Sequence, residues 1–123
     1  MQDMIAAGAA WFDDQRRKHL SVYVTYQRVG AVGTSSVPVT IGMSRWDSVD
    51  AAGQVTRYET RDYLVSVDDL QQPPARGDTI TEVDYRGRRC VYEVSAPGGQ
   101  AAWQWADRGQ RIRRVHTTLL EVL

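Results

Sequence analysis

The spacing of apolar residues along the chain changes near residue 20. Residues 2–19 are rich in alanine, contain no proline and carry large apolar residues at helical spacing. Those residues are Met4, Ile5, Trp11 and Phe12. After Leu20, apolar residues recur at every second position, which is typical of a β-strand. The pattern predicts one N-terminal α-helix over 2–19 and β-structure from residue 20 to residue 123.

Turn-forming residues divide the second region into short strands. Asp50–Gly53 and Arg86–Gly87 predict turns, and Ile112–Val122 predicts a final strand. Apolar residues alternate from Val37 to Met43, where Pro38 indicates a strand start or a sheet edge. Many short strands behind one helix favour a mainly β single domain over 1–123, built as a small antiparallel barrel or sandwich.

Two loops, near 29–37 and 96–110, are expected to be mobile. Val32 is the one large apolar residue within 30–36, so little burial offsets the entropy of ordering that segment. The second loop carries Trp103 and Trp105, followed by basic residues that include Arg108, Arg111, Arg113 and Arg114. Two interpretations stay open: the tryptophans plug the end of the barrel, or they present an aromatic anchor to a neighbouring chain.

Composition excludes several classes of function. The chain has 15 basic and 15 acidic residues, so its zero net charge argues against a basic DNA-binding domain. No stretch approaches the roughly 20 apolar residues of a membrane span, and the N-terminus lacks the basic start of a signal peptide. The sequence therefore predicts a protein made in the cytoplasm, with no membrane association.

Candidate catalytic residues are few and scattered. Cys90, the single cysteine, lies in an apolar alternation that predicts a buried, unreactive thiol. His19 suits the end of the helix, and His116 is expected to be a structural or surface residue rather than a ligand. The glycine-rich runs lack the spacing of nucleotide-binding motifs. We therefore predict no enzyme activity, no metal site and no cofactor.

A series of short motifs resembles a known family. It begins with Glu59-Thr-Arg-Asp-Tyr-Leu-Val65 and Pro74-x-x-Gly77-Asp78-x-Ile80, and continues with Arg89-Cys-Val-Tyr-Glu-Val94 and Ala96-Pro-Gly-Gly99. It ends with Trp103-x-Trp105-x-Asp107 and Arg113-x-x-His116-Thr117. The order is similar to that of the head–tail joining proteins of tailed phages, also called head-completion, head-closure or stopper proteins.

The resemblance implies a structural protein of the virion neck with a small β-barrel, a helix and mobile loops. Copies would form a ring of six or twelve between a portal or adaptor protein and a tail protein. The ring would close the head after DNA packaging and dock the tail, with the packaged DNA in its channel and no sequence-specific binding. The alternative is a small nucleic-acid-binding barrel of the OB or SH3-like kind, which would need an arginine-rich groove.

Residue type alone indicates the candidate protein-interface positions. Tryptophan and arginine are common at the centres of interfaces. The candidates are Trp11, Arg16, Arg17, Lys18, Val32, Trp103, Trp105, Arg108 and Arg111. The helix is expected to be the main binding element, with its basic end on an acidic portal or adaptor surface. The alternative is that these cations complement the helix dipole and stay solvated.

Overall fold

The structure, a computed structural model, describes residues 21–123. The predicted helix over 2–19 lies outside the described residues. The described part of the chain contains seven β-strands and one 3-10 turn at Pro97–Gly99. The strands are β1 (Val22–Gln27), β2 (Ser35–Val49), β3 (Val55–Ser66), β4 (Thr79–Val83), β5 (Arg89–Val94), β6 (Trp103–Trp105) and β7 (Ile112–Val122).

The seven strands of residues 21–123 form one antiparallel sheet in the order β3-β2-β1-β4-β5-β7-β6. Strand β7 also pairs with β3, from Arg61↔Thr117 to Ser66↔Ile112. Six strands are therefore joined in a continuous circuit of hydrogen-bonded pairs. Strand β6 lies outside this circuit and pairs with β7.

The core lies on the inner face of this circuit. Six strands contribute alternate side chains to it, and Leu70 is added from the segment between β3 and β4. The core residues are Val24, Tyr26, Val37, Val39, Tyr63, Val65, Leu70, Ile80, Val94 and Val115. Many are β-branched or aromatic, the residue types that fit a half-buried pleated surface.

Several sequence predictions are confirmed. The final strand has the predicted bounds, and hydrogen bonds close the turns at Asp50–Gly53 and Asp84–Gly87. Pro38 lies in the part of β2 that pairs with β1 before the register with β3 begins at Thr40. It therefore occupies a position with one neighbouring strand, where a missing N–H is tolerated.

Other predictions need correction. The expected loop over 96–110 contains β6, which extends the sheet through β7. The loop near 29–37 is shorter than predicted because β2 already begins at Ser35. Cys90 is buried as predicted, but a register shift between Val91 and Tyr92 breaks the alternation on which that prediction rested.

Strand β2 is also longer than its apolar alternation predicts. It continues past Met43 to Val49 and pairs with β3 through the register Thr40↔Leu64 to Val49↔Val55. The added residues are mostly polar, so the alternation of apolar side chains could not reveal them. This extension forms a long β2–β3 hairpin.

Candidate functional site

The motif Pro74-x-x-Gly77-Asp78 positions a buried carboxylate between two loops. The Asp78 side chain is 1% exposed and accepts hydrogen bonds from the Tyr26 hydroxyl at 2.5 Å, the Val29 N–H at 2.9 Å and the Ala75 N–H at 3.0 Å. Burial and the neighbouring carboxylate raise the pKa of Tyr26 above its usual range. Asp78 therefore ties the loop after β1 to the loop before β4.

Glycine is required beside this carboxylate. Gly77 has φ +92°, a conformation that L side chains rarely adopt, and its N–H donates to the carbonyl of Val94 at 3.1 Å. The next backbone N–H bond joins Val94 to the carbonyl of Asp78 at 2.8 Å. The Gly-Asp pair thus aligns the start of β4 with the end of β5.

A second loop is held by a buried arginine. Arg113 is 7% exposed and donates from Nη1 to the carbonyl of Leu70 at 2.7 Å. Its guanidinium lies 4.8 Å from the ring centre of Trp103 and 5.3 Å from that of Trp105. The two indoles meet edge to face at 4.9 Å. This stack attaches β6 to β7 by cation–π and aromatic contacts.

The two tryptophans therefore occupy different environments. Trp103 is half-buried and packs against the core. Trp105 is 36% exposed at the outer end of β6. Asp107 follows them and accepts hydrogen bonds from the N–H groups of Arg111 at 3.1 Å and Ile112 at 3.0 Å. The carboxylate closes the turn that leads into β7.

A second buried carboxylate, that of Asp62, joins β2, β3 and β7. Asp62 is fully buried and accepts hydrogen bonds from Arg114 Nε at 2.7 Å, Thr60 Oγ1 at 2.8 Å and the Ser44 hydroxyl. His116 Nδ1 lies 3.0 Å from Asp62 Oδ1. Burial alone would raise the pKa of Asp62, but these hydrogen bonds outweigh burial and hold that pKa well below its usual range.

The Asp62 cluster contains serine, histidine and aspartate but not the geometry of a hydrolase triad. In such a triad the histidine lies between the serine and the aspartate. Here the aspartate is central, and both Ser44 and His116 bond to it. His116 is 1% exposed and stacks edge to face on Trp46 at 4.9 Å. It is a structural residue, one of the two roles that the sequence indicated.

The β2–β3 hairpin has two different faces. On one face Trp46 donates from Nε1 to Thr60 Oγ1 at 3.0 Å and packs on His116. Tyr58 on this face lies against the 3-10 turn, where its hydroxyl is 2.7 Å from the position that a Cβ on Gly98 would occupy. This face holds the hairpin against the rest of the sheet.

The opposite face of the hairpin carries an exposed ladder of alternating charges, which we name the charge ladder. Arg45 pairs with Glu59 at 3.3 Å, and Arg57 pairs with Asp47 at 3.4 Å. All four side chains are more than half exposed. Exposed pairs of this kind contribute little to stability because water and salt screen them.

Apolar side chains remain exposed at the end of the sheet where β1 begins and where β4 and β7 end. They are Val22, Tyr23, Val83, Tyr85, Leu119, Leu120, Val122 and Leu123. Four of them line a concave region of about 700 Å³, beside the ion pair of Arg61 and Glu82 at 2.5 Å. Tyr63 also donates to Glu82 at 2.9 Å. We name the surface formed by these eight exposed apolar residues the apolar end.

Of the described candidate residues, the structure brings Trp103 and Trp105 into contact with each other. Val32 is 99% exposed in the loop after β1. Arg108 is exposed in the turn before β7, and Arg111 pairs with Asp68 at 3.0 Å. Trp11, Arg16, Arg17 and Lys18 lie outside the described residues. The charge ladder and the apolar end were missed, although charged residues two apart on both sides of the Asp50–Gly53 turn could have indicated the ladder.

Residues 21–123 contain neither a candidate metal site nor a helix suited to span a membrane. This part of the chain has no cluster of three or more histidine, cysteine or acidic residues able to hold a metal ion. In the same range, no helix is long and apolar enough to cross a membrane.

Comparison with known proteins identifies the class. The family described as phage head-tail joining protein matches residues 2–122, which is nearly the whole chain. The chain therefore belongs to the phage head–tail joining family, as the motifs indicated. Among curated proteins, none matches this chain. Membership implies a place in the virion and contact with other head and tail components, and it suggests a structural protein rather than an enzyme.

The family motifs and the exposed surfaces are separate parts of the molecule. Asp62, Asp78, Asp107, Arg113 and His116 all lie in the quoted motifs, and each forms hydrogen bonds that hold the fold. Of the four residues of the charge ladder, only Glu59 falls within a motif.

Proposed function

We propose that this chain is a ring subunit of the phage neck, lying between the portal or adaptor and the tail. In this proposal the ring closes the head after DNA packaging and provides the surface on which the tail docks. The family match over residues 2–122 carries the proposal. The closed circuit of six strands fits the small barrel that we infer for such a subunit.

The surfaces support a binding role on two sides of the subunit. The apolar end exposes Tyr23, Tyr85 and Val83 at 73%, 88% and 67%. Clustered exposed apolar side chains usually mark an interaction site. The charge ladder lies on a different element, so one copy could contact two neighbours at once. The nucleic-acid-binding alternative is not favoured by the family match.

The test is deletion of the gene followed by complementation. We expect particles made without this chain to lose their DNA or to lack tails, because the head is then neither closed nor fitted with a docking surface. Electron microscopy of purified particles measures both defects, and a plasmid-borne wild-type copy should restore them. DNA-filled, tailed particles from the deletion strain would contradict the proposal.

We further propose that the basic cluster of Arg16, Arg17 and Lys18 contacts an acidic portal or adaptor surface. Charges at such a position steer and orient docking more than they add affinity. The triple variant Arg16→Glu, Arg17→Glu, Lys18→Glu should give a folded protein that no longer completes heads. Arg76→Glu is the control, since Arg76 is exposed and belongs to neither the charge ladder nor the apolar end. Normal infectious particles from the triple variant would contradict this contact.

Oligonucleotide binding separates the neck subunit from the alternative. A nucleic-acid-binding barrel should change its elution volume when single-stranded DNA is added at low salt, where backbone contacts are strongest. The neck subunit should elute unchanged. A salt-sensitive shift would favour the alternative.

A further inference from the structure

Within residues 21–123, the outer half of the β2–β3 hairpin is a two-stranded ribbon with no neighbouring strand at either edge. Strand β1 pairs with β2 as far as Val39, and β7 pairs with β3 from Arg61 onward. Between these limits, residues 44–49 and 55–60 have only each other as strand neighbours within the described sheet. Isolated two-stranded ribbons are marginally stable in water.

The backbone of this ribbon points unpaired groups outward at the charged positions. The N–H of Asp50 donates to the carbonyl of Gln54 at 3.0 Å, and hydrogen-bonded pairs alternate with non-hydrogen-bonded pairs in an antiparallel ladder. Asp50 and Gln54 form a hydrogen-bonded pair. Counting back from it along the register, Asp47↔Arg57 and Arg45↔Glu59 are non-hydrogen-bonded pairs. Their N–H and C=O groups therefore point to the two outer edges.

The edges of the ribbon carry charges of both signs but lack the stronger devices that block strand pairing. Residues 44–49 and 55–60 contain no proline, no glycine and no lysine, and their register runs without a bulge. Native proteins usually block such edges with proline, with a β-bulge or with charged side chains, lysine above all, because a free edge is a template for strand pairing. We therefore expect another strand to pair with these two edges, which have neither proline nor a bulge.

The charge ladder indicates which strand pairs with the edges of the ribbon. If a second copy lies beside the first with its hairpin in the same direction, β3 of one copy runs antiparallel to β2 of the next. In equal register, Arg45 again faces Glu59 and Asp47 again faces Arg57. A shift of two residues instead brings Arg45 against Arg57, or Asp47 against Glu59. Like charges directly opposite one another are destabilising, so the ladder selects equal register.

We propose that the β2–β3 hairpins of neighbouring copies pair edge to edge in equal register and form an intersubunit antiparallel sheet. The occupant of each edge is a second copy of this chain. Because the two edges lie on opposite sides of the ribbon, each copy binds one neighbour with β2 and another with β3, which is the head-to-tail contact that closes a ring. This inference rests on the proposed ring, and it adds the surface that joins the copies.

Disulfide cross-linking between copies is the direct test. In a Cys90→Ala background, one chain carries Asp47→Cys and the other carries Arg57→Cys, and both are supplied to cells that make particles without the native copy. Facing positions in such a sheet lie within the span of a disulfide. Oxidised particles should yield cross-linked dimers when the two chains are mixed and none when either chain is supplied alone.

Two results would overturn the inference. The first is that particles containing both chains yield no cross-linked dimer. The second is that particles made from either chain alone yield as much dimer as the mixed particles. Both are distinct from failure of the proposed function, which would appear as absence of wild-type chain from purified necks.

A charge-inverted chain tests the identity of the partner. Arg45→Glu, Asp47→Arg, Arg57→Asp and Glu59→Arg together keep every pair within the hairpin but reverse the ladder. Inverted copies should assemble with one another, whereas a junction with a wild-type copy faces like charges. Affinity isolation of tagged wild-type necks should therefore recover few inverted chains. Random mixing of the two chains, or failure of the inverted chain to assemble on its own, would overturn the inference.

Discussion

The loops held by Asp78 and Arg113, which we name the loop end, use charged residues in the opposite way from the outer half of the β2–β3 hairpin. At the loop end, Asp78 and Arg113 are 1% and 7% exposed, and each forms hydrogen bonds with backbone groups of loops. On the hairpin, Arg45 and Arg57 are 79% and 84% exposed and pair only across the ribbon. Burial decides whether a charge holds the fold or remains available for binding.

The expected energies differ accordingly. Removing one partner of a buried charged cluster costs about 3–5 kcal/mol, because the remaining groups stay desolvated without a partner. An exposed ion pair contributes at most about 1 kcal/mol. Substitutions at the two regions should therefore separate stability from assembly.

The largest effect is expected for Asp78→Ala. It leaves the Tyr26 hydroxyl and the N–H groups of Val29 and Ala75 without their acceptor. We expect the free energy of unfolding to fall by about 3–5 kcal/mol, measured by urea denaturation. Asp47→Ala is the matched control from the hairpin and should cost less than about 1 kcal/mol. Equal losses from the two variants would refute the distinction between the regions.

Acid should weaken the fold through Asp62. Its pKa is lowered in the folded state, so the unfolded chain binds the proton more readily. The stabilisation from this carboxylate is complete above about pH 4, the ordinary pKa of an aspartate, and is lost as the pH falls further. Urea denaturation across this range should show a weaker pH dependence for Asp62→Asn than for wild type. An unchanged slope would show that Asp62 is not held ionised.

A smaller loss is expected for Gly98→Ala, which tests how the hairpin is held. Gly98 has φ +50°, and an added Cβ would meet the Tyr58 hydroxyl at 2.7 Å. The strained backbone should cost about 1–2 kcal/mol, and the contact with Tyr58 adds to it. In a Tyr58→Phe background the destabilisation due to the contact with the hydroxyl should disappear. Only the destabilisation due to the strained backbone should then remain. A thermodynamic cycle with no coupling between the two positions would mean that Tyr58 does not lie against the turn.

Local turn chemistry explains what could be predicted from the sequence. The turn at Asp50–Gly53 has glycine at φ +82° and a carboxylate that accepts the N–H groups of Ala52 and Gln54, all from adjacent residues. The bounds of β7 follow in the same way from the apolar pattern between Gly109 and the end of the chain. Such signals are contained within a few residues.

The rest depends on partners far apart in the chain. Asp78 and Tyr26 are 52 residues apart, as are Asp62 and Arg114, so no local pattern indicates that they meet. Strand β6 was expected to be loop because its three residues are too few to show alternation. The length of the hairpin was missed because its outer half is polar on the exposed face, where burial leaves no apolar period to detect.

The smallest change in stability is expected on the charge ladder. Reversing β3 alone, with Arg57→Asp and Glu59→Arg, sets like charges opposite each other across the ribbon. Because these side chains are exposed, the free energy of unfolding should fall by no more than about 1 kcal/mol for each of the two pairs. Urea denaturation of the variant beside wild type measures this difference. A loss as large as that of Asp78→Ala would place the ladder among the groups that hold the fold.

The yield of DNA-filled, tailed particles from cells supplying only this β3-reversed chain tests the central claim most directly. Our account predicts loss of such particles from a chain that is nearly as stable as wild type, because the reversed ladder faces like charges on both neighbouring copies. Wild-type yields of complete particles would contradict it and leave the hairpin without a role in assembly.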